Sequence, residues 1–145
     1  MVKVLVKKLN SKVKLPSYET EGSSGMDLVA FIDEPIEIKP NSSALIPTGL
    51  SIAIPEDCEV QIRPRSGLAA KSKIGILNSP GTIDSDYRGE LKVILFNHGN
   101  KHFVVKNNER IAKMVLTPVL KVNFEEVDSL PDTVRGSGGF GSTGK

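Results

Sequence analysis

The sequence has a single cysteine, Cys58, little excess of charge of either sign and no long uninterrupted apolar run. One thiol closes no internal disulfide, and no His or further Cys stands at a spacing that would complete a zinc site, so a reducing compartment suits the chain. Nineteen Lys and Arg against seventeen Asp and Glu give a net charge of +2. That excludes the broad basic field that holds a nucleic-acid backbone, and any anion recognition must be local. Met1 to Leu9 has the outline of a signal peptide, but Lys3, Lys7 and Lys8 interrupt its apolar residues and it reads as a strand. No segment reaches the apolar length of a membrane span, and the expectation is a soluble, cytoplasmic protein with neither membrane nor nucleic acid as a partner. A length of 145 residues suits one domain with a real core. No internal repeat points to a solenoid or propeller.

Turn formers are what the chain has in quantity. Thirteen Gly and nine Pro, spread along its whole length, leave little room for long helices. Between them the apolar residues alternate: Val2, Val4 and Val6 with Lys3, Leu5 and Lys7; Leu50, Ile52 and Ile54 with small residues; Val60 and Ile62 with Glu59, Gln61 and Arg63. Leu91 to Phe96, Met114 to Leu116, and Leu120, Val122 and Phe124 with Lys121 and Asn123 between them continue the theme. A period of two is the signature of strands, and many short strands in one domain predict an all-β sandwich or barrel. One short helix is expected from Ser66 through Lys71, with Ser66 as its cap. Arg135 to Lys145 holds five glycines and no alternating apolar set, so it is expected to be a flexible arm outside the core.

Three segments carry residues suited to chemistry. Arg63-Pro64-Arg65-Ser66-Gly67-Leu68-Ala69 sets two guanidiniums, a hydroxyl and a glycine at a strand-to-helix junction, where unpaired backbone N–H groups and a bidentate arginine suit an anion. The same residues suit a capped helix with solvated arginines. Asn78 to Gly89 is dense in turn formers and holds Asp84 and Asp86; a carboxylate there could orient and deprotonate a water against phosphorus, or simply brace a polar hairpin. Ser23 to Leu28 places Asp27 ahead of an apolar run, where one carboxylate suffices for a hydrated Mg²⁺, although a turn before a strand has the same composition. Gly139 to Lys145 satisfies the spacing G-x-x-x-x-G-K, but no Ser or Thr follows the lysine and no helix aims a dipole at the site, so it is not a phosphate loop. Such a tail could instead fold over a ligand and stack Phe140 on a base. His98 and His102 flank turn residues rather than a helical turn, and Cys58 lies between Asp57 and Glu59, so neither the histidines nor the thiol receives a role.

The order and content of these segments closely resemble the trimeric dUTPase family, whose members carry five ordered motifs. Here they correspond to Ser24–Leu28, Pro64–Ala69, Asn78–Gly89, Glu109–Met114 and Arg135–Gly144. The resemblance implies hydrolysis of dUTP to dUMP and pyrophosphate, which keeps uracil out of DNA and supplies dUMP for thymidylate synthesis. By that resemblance Asp84 is the base that activates water for attack on the α-phosphorus. Mg²⁺ on the three phosphates assists, touched by Asp27 through water. Arg65, Ser66 and Gly67 hold the phosphate chain, Asn78 contacts uracil, and the hairpin from Gly81 to Tyr87 reads the rest of the base edge. Tyr87 lies against the sugar, where it excludes a 2′-hydroxyl. Thr82, Ile83 and Lys92 line the same pocket, and Lys113 stands where many members carry Gln and could still meet a phosphate. Phe140 stacks on uracil, while Arg135, Gly139, Gly141 and Ser142 belong to the closing arm.

The implied architecture is a jelly-roll-like sandwich or barrel over residues 1–134 with an arm over 135–145, assembled as a homotrimer whose active sites are shared between chains. Two other readings stay open at this point. A dCTP deaminase of the same fold would attack the base and release ammonia, and a catalytically silent nucleotide-binding trimer would bind without turnover.

Overall fold

The computed structural model describes residues 1–141. Four antiparallel sheets form the body. In the largest the strand order is β2 (Met26–Val29), β11 (Arg110–Pro118), β6 (Cys58–Arg63), β8 (Gly81–Ile83). A second sheet has the order β4 (Ser43–Pro47), β9 (Lys92–Asn97), β7 (Ile74–Ile76). The remaining two are pairs, β1 (Leu5–Lys8) with β5 (Leu50–Ala53) and β10 (Phe103–Val105) with β3 (Ile36–Ile38). One helix, α1 (Ser66–Ser72), follows β6. The domain is therefore mostly β with one short helix, as its period and turn content require; among the described residues no sheet closes into a barrel.

Alternation explains the core. β6 buries Val60 and Ile62 and β9 buries Val93 and Leu95, while the residues between them face outward. Leu28, Ile46, Val60, Val93, Leu95 and Val105 are each at most 1% exposed. Each such side chain contributes on the order of 1.5–3 kcal/mol by leaving water. β11 breaks the rule once: Ile111 and Ala112 are both buried, because the pairing with β2 shifts register between Arg110 and Ala112. A bulge of this kind resets which side chains face which way, and it shapes the site described below.

Four sequence expectations need correction. The strand predicted over Met1 to Leu9 is confined to Leu5–Lys8, and Leu5 and Val6, which point to opposite faces of β1, are both exposed because neither face is fully covered. Leu120, Val122 and Phe124 form no strand and are 93, 76 and 91% exposed. Their alternation supplies an apolar face, but a strand also needs a neighbour for its backbone, and after Val119 donates to the Asp57 carbonyl the chain meets none. The helix cap is Arg65, which keeps extended backbone at φ −87°, ψ 124° and offers no side-chain cap, so Ser66 already lies in the first turn. The Asn78–Gly89 segment is not a paired hairpin: β7 bonds to β9 and β8 to β6, so the turn between them and the loop after β8 both cross between sheets.

Candidate active site

β11 places Lys113 opposite Asp27 on one side and opposite Arg63 on the other. The strands come this close because residue 25 is glycine, where a β-carbon would lie 2.8 Å from both the Met114 carbonyl oxygen and Val115 Cγ2. Around Asp27 three cations converge. Arg65 Nε donates to Oδ1 at 3.2 Å, Lys113 Nζ stands 3.6 Å from the same oxygen, and Arg110 Nη1 lies 3.4 Å from Oδ2. The side chain of Asp27 is only 7% exposed. A carboxylate this far out of water is tolerated because it is paired, and three cations against one anion leave the cluster with two positive charges in excess. Beside it Ser66 and Gly67 are exposed in the first turn of α1, with open space around Gly67. Backbone N–H groups in a first helical turn have no intrahelical partner. Arginines, lysine and open N–H groups together suit a polyanion such as a phosphate chain.

A second set of residues surrounds the loop after β8. Gly81 packs tightly, with a β-carbon there meeting Ile62 Cβ at 3.3 Å and Asn78 Nδ2 at 3.4 Å, so the Asn78 amide lies against this backbone. Thr82 stands opposite Gln61, and Ile83 opposite Val60. Asp84 is exposed and, among the described residues, has no cation within ion-pair distance. The loop is braced by its own backbone: Tyr87 N–H donates to the Asp84 carbonyl at 3.1 Å, and Arg88 Nη1 donates to the carbonyls of Ser85 and Tyr87. The Tyr87 ring lies over Gly89, and its hydroxyl donates to the Glu90 carbonyl at 3.1 Å. Lys92 Nζ pairs with the Glu90 carboxylate at 3.7 Å, whose other oxygen accepts from Gly49 N–H at 2.9 Å. A cleft of about 920 Å³ opens beneath this loop, but Glu56, Asp57, Glu59, Asp84 and Asp86 line it against only Arg88 and Lys121, and the excess of carboxylates repels phosphate.

Asp27 and Asp84 do not meet in one chain. β2 and β8 are opposite edges of the same sheet, three strand spacings apart, or about 14 Å. Asp27 lies level with Arg63, whereas Asp84 continues past Ile83 toward the level of Glu59, a further offset of about 13 Å along the strands. The arm stands apart from both. Arg135 Nε donates to the Gly138 carbonyl at 2.7 Å, Gly136 N–H returns to the Thr133 carbonyl, and Phe140 is fully exposed. Gly139 has open space around it and Gly141 adopts φ +87°, a conformation glycine takes freely. Ser142 lies outside the described residues.

Other polar residues have local work. The His98 ring packs on Phe96 with centroids 4.4 Å apart, and His102 Nδ1 meets Glu37 Oε1 at 2.6 Å. Burial first, and the Asp57 carboxylate second, push the Cys58 thiol above its ordinary pKa, which disfavours the reactive thiolate. Among the described residues no group of three His, Cys, Asp or Glu stands ready to hold a metal. Asp27 fits a divalent cation only as a single carboxylate acting through water, since three cations already face its two oxygens. Three residues received no role from the sequence. Arg110, inside the fourth motif, was masked by the bulge, since residues three apart on a regular strand face opposite ways; Gly89, at the end of the third, packs under Tyr87, and Glu90 accepts from Tyr87 and Gly49 and pairs with Lys92.

Comparison with known proteins places these features in context. The family model for dUTPase matches residues 11–144. The deoxyuridine 5′-triphosphate nucleotidohydrolase of Rickettsia felis is 54% identical over 145 residues, covering 99% of this chain and 98% of its own. Among solved structures, a Staphylococcus bacteriophage 80alpha dUTPase with dUPNHPP superposes with a TM-score of 0.87 at 24% identity, covering 99% of each chain. A mutant dUTPase from Staphylococcus aureus phage phi11, described as revealing the coordination of a structural Mg(II) ion, reaches 0.79 at 18% identity over 90% of this chain and 99% of its own. The structural likenesses carry the fold; the family model and the whole-length identity carry the membership. The chain belongs to the dUTPase family of enzymes.

Proposed function

We propose that this chain hydrolyses dUTP to dUMP and pyrophosphate as a homotrimer of jelly-roll-like subunits, with each active site drawn from more than one copy. The observation that carries the reading is the separation of Asp27, on the edge strand β2, from Asp84, just past the opposite edge strand β8. A neighbouring copy then brings its own Asp84 to a phosphate chain held at the Asp27 end of this sheet. The exposure of Leu120, Val122, Phe124 and Leu130 supports assembly, because four large apolar side chains within eleven residues gain from a partner surface. Residues 1–134 are the folded body and 135–145 the arm that closes on bound nucleotide.

In this mechanism Arg65, Ser66, Gly67 and Lys113 bind the phosphates, with charge-assisted hydrogen bonds from the side chains and open N–H groups from the backbone. Asn78 and the backbone from Gly81 through Ile83 read uracil, and Tyr87 lies against the deoxyribose, with Lys92 beside it. Asp84 takes a proton from a water whose oxygen attacks the α-phosphorus. The bond from that phosphorus to the bridging oxygen breaks, and pyrophosphate departs with the electron pair. Phe140 stacks on the base while Arg135, Gly139, Gly141 and Ser142 cover the outer phosphates and exclude water. Asp27 would contact a Mg²⁺ carried on the triphosphate through water, and when bound that ion neutralises charge on the leaving group. The family match and the names of its relatives favour hydrolysis over deamination or silent binding.

A pyrophosphate-release assay across the deoxynucleoside triphosphates, with and without Mg²⁺, tests the proposal. Release from dUTP with no ammonia from dCTP is expected. Binding without pyrophosphate release would instead make the protein a silent module.

Gly89 offers a sharper probe of the sugar contact. A β-carbon there would overlap the Tyr87 hydroxyl and lie 3.0 Å from Cε2, so Gly89→Ala must rotate the ring and break its bond to the Glu90 carbonyl. Misplacement of a positioning group by about an ångström costs on the order of 10²-fold. The expected result is a loss of that order in kcat/KM for dUTP and a narrower preference for dUTP over UTP. An unchanged ratio for the two nucleotides would separate Tyr87 from sugar recognition.

A further inference from the structure

The Arg110 side chain has no part in the mechanism above, yet it meets the carboxylate oxygen of Asp27 that Arg65 does not use. We propose that Arg110 is a positioning residue that holds the Arg65 guanidinium in its phosphate-facing orientation, an inference that rests on the phosphate role given to Arg65. Arg65 is gripped at two corners. Its Nε donates to Asp27 Oδ1 at 3.2 Å, and its Nη1 donates to the backbone carbonyl of Arg110 at 3.3 Å. A guanidinium has five N–H donors, so three remain for an anion. The grip at Oδ1 depends on where the carboxylate points, and Arg110 Nη1 sets that by taking Oδ2 at 3.4 Å.

Lys113 competes for the oxygen that Arg65 uses, standing 3.6 Å from Oδ1. With Oδ2 released, the carboxylate is free to turn about its broad terminal torsion and shift toward the lysine. The bulge makes this arrangement possible. Arg110 pairs with Val29 and Lys113 with Asp27, and the extra residue between Arg110 and Ala112 lets two side chains three positions apart address the same carboxylate. The Arg110 guanidinium is half exposed and buries little apolar surface, so its contribution is to geometry more than to the core.

A double-mutant cycle tests the assignment. Arg110→Ala should lower kcat/KM for dUTP by about tenfold, within the coupling range of residues in one ion-pair network. In an Arg65→Ala background the same change should cost less than about twofold, because the residue it positions is gone. Equal losses in both backgrounds would show that Arg110 acts on substrate directly or through its charge alone, and either overturns the proposal, as does no loss in the first. If Arg110→Ala lowers the thermal midpoint enough to obscure the rates, Arg110→Gln in both backgrounds gives the same reading with a smaller packing change. The cycle repeated as affinity for inorganic tripolyphosphate by calorimetry needs no turnover. Coupling there in a protein that hydrolyses nothing sinks the dUTP reading alone; additivity there in an active enzyme sinks the role of Arg110 alone.

Discussion

Replacing Asp84 with Asn is expected to slow pyrophosphate release from dUTP by about 10²–10⁴-fold, the usual worth of a general base, while leaving affinity for a non-hydrolysable analogue within about threefold. The amide keeps the size and one oxygen of the side chain but cannot accept a proton from water. The fold should not notice. Asp84 is exposed and has no cation partner among the described residues, so the change in stability should stay within about 0.5 kcal/mol, as for ordinary surface positions. Single-turnover kinetics together with calorimetric binding separate the two effects. A variant that retained wild-type turnover would remove Asp84 from the chemistry and leave the cation cluster without its proposed base.

Removing residues 135–145 should be nearly as costly to turnover and harmless to the fold. The described part of the arm bonds mainly to itself, with Arg135 and Gly136 returning to Gly138 and Thr133 and Phe140 standing clear of the body. No core side chain is lost, so the thermal midpoint and the mass of the assembly should match those of the full chain. Turnover should nonetheless fall on the order of 10²–10³-fold, since an arginine, open backbone donors and a stacking ring leave the transition state together. Full activity in the truncated enzyme would show that the site closes without the arm.

Much of the architecture could be read from alternation alone. Val60 and Ile62 in β6, and Val93 and Leu95 in β9, announced buried faces because a period of two leaves a sheet no other way to bury them. The same signal misled at Leu120, Val122 and Phe124, since periodicity reports which face is apolar and not whether another strand lies alongside. Ser66 was favoured as a cap for its hydroxyl, but the extended backbone at Arg65 sets where the helix begins. At the site, the family-like motifs around Asp27, Arg65 and Lys113 pointed to residues that do gather in space. Arg110 lies in the same motif as Lys113, but its contact with Asp27 could not be read there, because a one-residue bulge leaves no mark that spacing rules detect. Nor does a sequence reveal that Asp27 and the Asp84 loop belong to opposite edge strands of one sheet, which is a matter of strand order.

Gly25 joins two constraints that are usually independent. Any side chain there would push the backbone of β2 off that of β11, and the first casualty would be the registry that sets Asp27 across from Lys113. A β-carbon at this position is therefore opposed twice over, once by the steric demands of the sheet and once by the displacement of an anion that three basic neighbours surround.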